Sequence, residues 1–505
     1  MTVKEKFNEF KEYLKDISLF ESAAILLNWD QQVKMPRGAA HNRADMNSAV
    51  QMYAFEQFTS EKNADYLEYF AQPEIAEQLT FEENAMVRVA KGELDKFKVI
   101  PKELFARRVK ASSLGNHIWE EAREKSDFAL FESALKELVE ISIETAHIYK
   151  EKLYPESNNI YDTLIEQYES GMTTEKLNKI KEVLQPRLTD LIKELAHGTK
   201  PDATIFKKKF DVSKQLELSR LISERMGYDY KRGLIDVSVH PFTTKISPDD
   251  VRITTRFSES YLEEGLFGTV HETGHALYEQ GLPVEFHWTP LAEATSLGIH
   301  ESQSLFWENM IGKSLPFWKN IKPDLDIIFP EAFNEDIVDI YRAANICNPG
   351  FIRIEADEVT YSLHILLRFE IENALINGQI SVKELPALWN QKMTEYLGIT
   401  PENDAQGVLQ DVHWSEAMFG YFPSYMLGKL YAAQMYKTME KEFNIPEAVE
   451  SGEWLKVREW LKKNIHEMGS IYKPNELIQK VTGEVLNPAY FIEYVEKKFK
   501  AIYKL

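Results

Sequence analysis

Gly268-Thr269-Val270-His271-Glu272-Thr273-Gly274-His275-Ala276-Leu277-Tyr278 is the stretch the rest of the chain serves. It contains H-E-x-x-H, and the chemistry of that motif needs a helix. Residues four apart on a helix lie one turn above each other on one face, so both imidazoles reach one ion. The Glu between them points beside that ion, where it can hold a water instead of ligating. Phe267, Val270, Gly274 and Leu277 recur at helical spacing, Gly281 reads as a C-terminal stop, and Pro283 follows it. Chance alone would produce the five-residue motif about 0.03 times in a chain of this length, so the surrounding sequence has to support it.

The composition is that of a globular chain, with 44% hydrophobic, 12% aromatic and 28% charged residues. Gly (22) and Pro (20) fall below average usage, and nearly all of the sequence outside the motif reads as amphipathic helix, which predicts a large, mostly helical body. A net charge of -21 disfavours nucleic acid and anionic membrane surfaces, both of which require a basic face. Lys207-Lys208-Lys209 is the one tight basic run and reads as a solvated face. The lone Cys347 permits no intrachain disulfide. The N-terminus reads as a charged amphipathic helix without a signal peptide, and the apolar run from Ala23 to Leu27 is too short to span a bilayer. A cytoplasmic protein is expected.

From residue 1 to about 200 the pattern is helix after helix, with apolar stripes such as Phe7, Phe10, Tyr13, Leu14 and Phe131, Leu135, Leu138, Ile141. Met35-Pro36-Arg37-Gly38 is read as breaking the second helix, and Val99-Ile100-Pro101, Tyr154-Pro155 and His197-Gly198-Thr199-Lys200-Pro201 as later breaks. Trp29-Asp30 reads as a buried hydrogen-bonded pair. Past Gly227 the period changes: Ile235, Val237 and Val239 alternate, and so do Val251 and Ile253, which predicts a short hairpin or small sheet connected through His240-Pro241-Phe242-Thr243-Thr244. Such a sheet could hold an extended peptide by backbone hydrogen bonds. Five of the twelve histidines (His240, His271, His275, His287 and His300) lie between residues 240 and 300, a clustering that favours a metal site.

A catalytic zinc takes three protein ligands and leaves one position open. Glu293, His300, Glu301 and Glu308 are the downstream candidates, all in an apparent helix after Thr289-Pro290. Glu301 is the expected ligand, because His300-Glu301-Ser302-Gln303 interrupts an otherwise apolar helix, while His300 is expected to pack or orient the site. Farther on, Arg353 and Asp357 stand at i and i+4, either as an ordinary helix ion pair or with Arg353 as a fixed cation for a substrate carboxylate. Gly407 to Trp414 reads as a loop entering a helix. His413, Tyr421 and Tyr425 are side chains suited to donating to an oxyanion, or core aromatics.

In sum the chain resembles the carboxypeptidase Taq family of metallocarboxypeptidases. The resemblance is carried by His240-Pro241-Phe242, Asp250 to Thr254 (D-x-R-x-T), His271-Glu272-Thr273-Gly274-His275, and His300-Glu301-Ser302-Gln303. Ile352 to Asp357 (I-R-x-x-A-D), Gly407 to Trp414 (G-x-x-Q-D-x-H-W) and Leu27 to Gly38 complete it, in the family's order. It implies a mainly α, two-lobed helical fold with a deep groove and one small β-sheet, near residues 234–257. We expect one domain over residues 1–505, with an N-terminal helical lobe to about 200 and a catalytic part from about 201. It further implies a homodimer, a Zn2+ ion (Co2+ as substitute), His271, His275 and Glu301 as ligands, and Glu272 as general base. By the same resemblance Arg353 and residues of the last two motifs would recognise the substrate's C-terminal end; His240 and Tyr425 are expected to bind substrate, and His413 and Tyr421 to assist catalysis. The activity implied is release of single C-terminal residues from peptides with a free C-terminus, with broad specificity. The alternatives are a zinc endo-oligopeptidase or dipeptidyl carboxypeptidase, and a non-catalytic helical zinc-binding protein.

Overall fold

The H-E-x-x-H stretch lies on a helix from Leu262 to Gly281, the motif helix, with Glu263 and Glu264 in its first turn. Acidic side chains there complement the positive end of the helix dipole. Leu262, Leu266, Val270, Leu277 and Tyr278 are buried, so the helix runs through the interior and only its polar stripe meets the groove. The structure is a computed structural model and describes residues 1–505. No helix in it is long and apolar enough to cross a membrane.

Helices make up most of the chain around one three-stranded sheet. The hydrophobic interior falls into two clusters. The larger starts at Trp119 and reaches Tyr503; the smaller joins Phe7, Phe10, Leu67, Phe70 and Leu94 to Phe286, Leu291 and Ile471. The predicted stripes are in place: Phe7, Phe10 and Leu14 are buried, as are Phe131, Leu135, Leu138 and Ile141. Tyr13 is half-buried and its hydroxyl donates to the Gln57 carbonyl at 2.7 Å.

Two readings of the N-terminal part need correction. The first helix runs unbroken for 31 residues, Val3–Val33, so Met35 to Gly38 ends the first helix and not the second, which spans Ala40–Phe58. Trp29 and Asp30 are not a hydrogen-bonded pair. The Arg252 guanidinium lies 4.4 Å from the Trp29 ring centre, the Trp29 Nε1 has no partner, and Asp30 turns to Arg43 at 2.6 Å. The D-x-R-x-T segment thereby fastens the first helix to the sheet.

The sheet has strands β1 (Ile235–Val237), β2 (Thr243–Ser247) and β3 (Asp250–Thr255) in the order β1-β3-β2. β1 pairs with β3 in parallel, Ile235 opposite Ile253, and β2 pairs with β3 antiparallel, Thr243 opposite Ile253. The small sheet is as expected; its internal wiring is not. The hairpin joins β2 to β3, and the last two residues of the supposed connection, Thr243 and Thr244, already belong to a strand. Hydrophobic alternation could not reveal β2, because the residues it aims at the motif helix are Thr243 and Lys245, which bind acidic side chains there. Val239 lies past β1 and is exposed.

The motif helix is crossed by an opposing helix, Leu297–Leu305, whose N-cap Ser296 accepts from the Ile299 N–H at 3.0 Å. It continues into a π-helical turn, Phe306–Gly312. The approach is close. A Cβ on Gly274 would lie 2.7 Å from the Gln303 carbonyl oxygen and from Ser304 Cα. On the far side the opposing helix packs on Pro423–Met439, the tyrosine helix, where a Cβ on Gly428 would lie 2.8 Å from Glu301 Cγ. Three backbones are thus drawn together around Glu301.

Candidate active site

His271 and His275 project from one face of the motif helix towards Glu301 on the opposing helix. Glu301 Oε2 is 3.4 Å from His275 Nε2 and 3.9 Å from His271 Nε2, and one donor atom from each of the three lies within 4.8 Å of the others. Donors bound at ~2 Å to a tetrahedral ion stand roughly 3.3 Å apart, so this set fits a zinc-like cation. Glu308, in the π-helical turn, accepts from His271 Nδ1 at 2.8 Å and from Lys313 Nζ at 2.7 Å. That bond leaves His271 Nε2 free to ligate, the arrangement by which ligand histidines are usually oriented.

The electrostatics favour a cation. Burial works against charge on His271, but the Glu308 hydrogen bond and the charges of Glu301 and Glu308 prevail and push its pKa up to about 10. His275 is pulled down to about 4 by burial and by His300. Burial opposes the Glu301 charge too, yet its bond to His275 and the two imidazoles hold it below the usual carboxylate range. Of the three carboxylates Glu272, Glu301 and Glu308, only Glu308 has a lysine in direct ion-pair contact, Lys313, a balance suited to a divalent ion.

Glu272 is buried, and burial raises its pKa. The Thr243 hydroxyl on β2 lies 2.7 Å from its Oε2 and 2.8 Å from its carbonyl oxygen, which fixes the carboxylate beside the cluster. In front is a cavity of about 290 Å3 lined by Phe242, Thr243, Glu272, His275, His300 and Glu301 together with Tyr421, Ser424 and Tyr425.

Behind Tyr425 lies a buried charged group. Arg353 donates through Nε to Asp411 Oδ1 at 2.9 Å and through Nη1 to the Tyr361 hydroxyl at 2.9 Å, with its guanidinium 4.9 Å from the Tyr425 ring centre. Arg368 Nε donates to the other Asp411 oxygen at 2.7 Å. Two guanidiniums share one carboxylate, leaving one surplus positive charge in a buried setting. Burial disfavours that charge on Arg353, but Asp411 outweighs it and holds the pKa above the ordinary value.

Residues 9–499 match the carboxypeptidase Taq (M32) metallopeptidase family. Carboxypeptidase 1 of Bacillus subtilis (strain 168) is 39% identical over 502 residues, covering 98% of both chains. Thermostable carboxypeptidase 1 of Thermus thermophilus is 36% identical with all of both chains covered. The crystal structure of an M32 carboxypeptidase from Deinococcus radiodurans R1 superposes with a TM-score of 0.95 at 31% identity, covering 99% of this chain and 100% of that one. The chain belongs to the carboxypeptidase Taq family.

As a member it is a metallocarboxypeptidase, a hydrolase of peptide bonds. The residues expected from sequence fall into three groups in this carboxypeptidase. His275, Glu301, Glu272, Tyr421 and Tyr425 line the cavity, and His271 stands beside them. Arg353 and His413 are not in the lining but lie against Tyr425: the Arg353 guanidinium packs on its ring, and His413 Nε2 meets its hydroxyl at 3.3 Å. Burial and the nearby guanidiniums pull His413 down to about 4, despite the Asp411 charge. His240 is exposed at the rim, while its neighbours Pro241 and Phe242 line the cavity.

Two other expectations change. Glu293 is not on the opposing helix but in the segment before it, paired with Lys245 at 2.9 Å. Arg353 and Asp357 form no helical ion pair, because Arg353–Glu355 is a single 3-10 turn. Asp357 instead accepts from the Val359 and Thr360 N–H groups at 2.9 and 3.1 Å, starting the next helix. Thr243, Tyr361 and Arg368 were missed, since none stands in a motif spacing of its own.

Proposed function

We propose that this enzyme is a zinc-dependent carboxypeptidase that removes single C-terminal residues from peptides, with broad specificity. The observation that carries the reading is Tyr425, which lines the cavity beside Glu301 while the surplus positive charge of Arg353 and Arg368 lies directly behind it. That charge draws a free carboxylate to this end of the cavity, and Tyr425 is the side chain that must yield for the carboxylate to reach Arg353. Anchoring the C-terminus there fixes which peptide bond lies over the three-donor cluster.

In this reading His271, His275 and Glu301 hold the ion, and Glu308 keeps His271 in the ligating tautomer. Zinc, when bound, supplies a Lewis acid and a water of lowered pKa. Glu272 takes the proton from the attacking water and passes it to the leaving amine; its raised pKa suits both halves of that task. Tyr421, and His413 through Tyr425, stabilise negative charge developing on the carbonyl oxygen. His240 contacts substrate at the rim. Apart from Glu272, His275, His300 and Glu301 the lining is apolar and hydroxyl-bearing, with no further charge to select a side chain, which supports broad specificity. We further infer one catalytic domain working as a homodimer in the cytoplasm; the single buried thiol of Cys347 fits a reducing compartment, and light scattering tests the dimer.

Mass spectrometry of an N-acylated peptide and its C-amidated twin, each incubated with zinc-loaded enzyme, tests the reading. A ladder losing one residue at a time from the free acid alone is expected. Internal fragments from both peptides, or dipeptide steps, would overturn it.

A further inference from the structure

His275 and His300 both line the cavity, and only His275 has a part in the chemistry so far. His300 is held on three sides. Its ring stacks on His275 at 4.4 Å between centres and 15° between planes, and Tyr278 lies 5.6 Å away at 28°. Its Nε2 stands 2.9 Å from Glu279 Oε1. Glu279 is 9% exposed, and its other oxygen forms an ion pair at 3.1 Å with Lys245 Nζ, whose hydrogen bond goes to the Ala292 carbonyl at 2.6 Å. Burial works against charge on Glu279, but the paired Lys245 ammonium outweighs it and keeps the carboxyl anionic. An anionic carboxylate can only accept, so Nε2 carries the hydrogen and Nδ1 keeps a lone pair.

That lone pair has no protein partner, and His300 opens to the cavity beside Phe242 and Thr243. The same cavity is lined by Tyr421 and Tyr425, and it is past Tyr425 that Arg353 would hold the substrate's C-terminus. A peptide so anchored runs from Arg353 over the three-donor cluster and leads its earlier residues past Thr243 and His300. Backbone N–H groups are the hydrogen-bond donors every peptide presents there, whatever its sequence.

We propose that His300 Nδ1 accepts a hydrogen bond from a backbone N–H of the substrate upstream of the cleaved bond, with Glu279 and Lys245 as positioning residues that fix the imidazole in the accepting tautomer. The proposal rests on the carboxypeptidase reading of the cavity. It gives grip on a peptide independent of side chains, and explains why a buried Lys–Glu pair stands behind a histidine that ligates nothing.

His300→Phe keeps a ring against His275 and removes the acceptor. The experiment measures kcat/KM of zinc-loaded wild type and this variant on an N-acylated pentapeptide and on copies N-methylated at each upstream amide in turn, with zinc content assayed in parallel. For wild type, one methylation should cost about 5- to 20-fold, the loss of a single hydrogen bond with its partner left unmet. The variant should be slower on the parent by a similar factor and indifferent to that methyl group. Glu279→Gln, which releases control of the tautomer, should show a reduced sensitivity to the same methyl group, and it carries the test if the Phe variant loses zinc. Equal penalties in wild type and both variants at every position would overturn the proposal and leave His300 as packing for His275. If wild type released no C-terminal residue from the parent, the carboxypeptidase reading would fall; the same peptide series, read as binding affinity by calorimetry, would still decide the role of His300.

Discussion

In the proposed mechanism Glu272 and Glu308, which flank the same imidazole, are given different tasks by their different surroundings. Glu272 is buried against Thr243 with no cation of its own, and its pKa rises. Glu308 is equally buried, but Lys313 and His271 hold it far below the carboxylate range. One is fitted to exchange a proton and the other to remain an anion that orients His271. Glu272→Gln should therefore keep zinc stoichiometric while turnover falls by about 10²–10⁴-fold. Zinc assay beside single-turnover kinetics checks this, and normal activity in the zinc-loaded variant would remove Glu272 as the base. Glu308→Gln leaves one acceptor for two donors, so its zinc affinity should drop about 10- to 100-fold with the fold retained. Chelator competition measures that loss, and unchanged affinity would mean that the bond to His271 Nδ1 does not support the metal.

Gly274, inside the H-E-x-x-H motif, belongs to neither the proposed ligands nor the proposed base, yet it sets how near the two helices come. A Cβ there would meet the Gln303 carbonyl oxygen and Ser304 Cα at 2.7 Å, backbone atoms that cannot step aside singly. Gly274→Ala should cost about 1–3 kcal/mol of stability by overpacking, and should weaken zinc binding by moving Glu301 away from the imidazoles. Denaturant unfolding and a zinc titration test the pair of effects together; wild-type values for both would show that the close approach is dispensable. The elements most legible in the sequence were those whose faces are apolar. Phe267, Val270 and Leu277 gave the motif helix, and Val251 with Ile253 gave β3, because burial imposes a period. β2 was invisible for the opposite reason: Thr243 and Lys245 are turned inward to serve Glu272 and Glu279. The π-helical turn that aims Glu308 at His271 leaves no periodic trace either, so Glu308 stood among the ligand candidates. Arg353 was legible as a cation of interest, but its partner was not, because the 3-10 turn ends before Asp357 and the true partner, Asp411, is 58 residues away.

Over the whole molecule, a net charge of -21 accompanies several carboxylates sealed in the interior away from the catalytic cluster. Two of them fasten the parts of the site to one another. Glu169 accepts from the Gly298 N–H at 3.0 Å and the Tyr431 hydroxyl at 2.8 Å, linking the opposing helix to the tyrosine helix. Glu372 accepts from Trp414 Nε1 at 2.7 Å and the Gly420 N–H at 2.9 Å, holding the loop that carries Asp411 and His413. Burial pushes both up to about 7 although these donors pull the other way. An unfolded glutamate titrates near ~4.3, so between that value and about 7 the folded state binds more protons than the unfolded state. The contribution of each carboxyl to stability is thus fully present below ~4.3 and is lost as pH rises through about 7, by up to about 3 kcal/mol. Other groups titrate in the same window, including the site histidines, so the comparison has to be differential. Denaturant midpoints of metal-free wild type and Glu372→Gln, taken at pH 5, 6, 7 and 8, separate the contribution. The variant should be weaker at pH 5, where it lacks the protonated acid, and should lose less stability than wild type on going to pH 8. Parallel curves would mean that Glu372 keeps an ordinary pKa inside the fold, and that its donors, which include the Tyr161 hydroxyl, fully offset the cost of burying the charge.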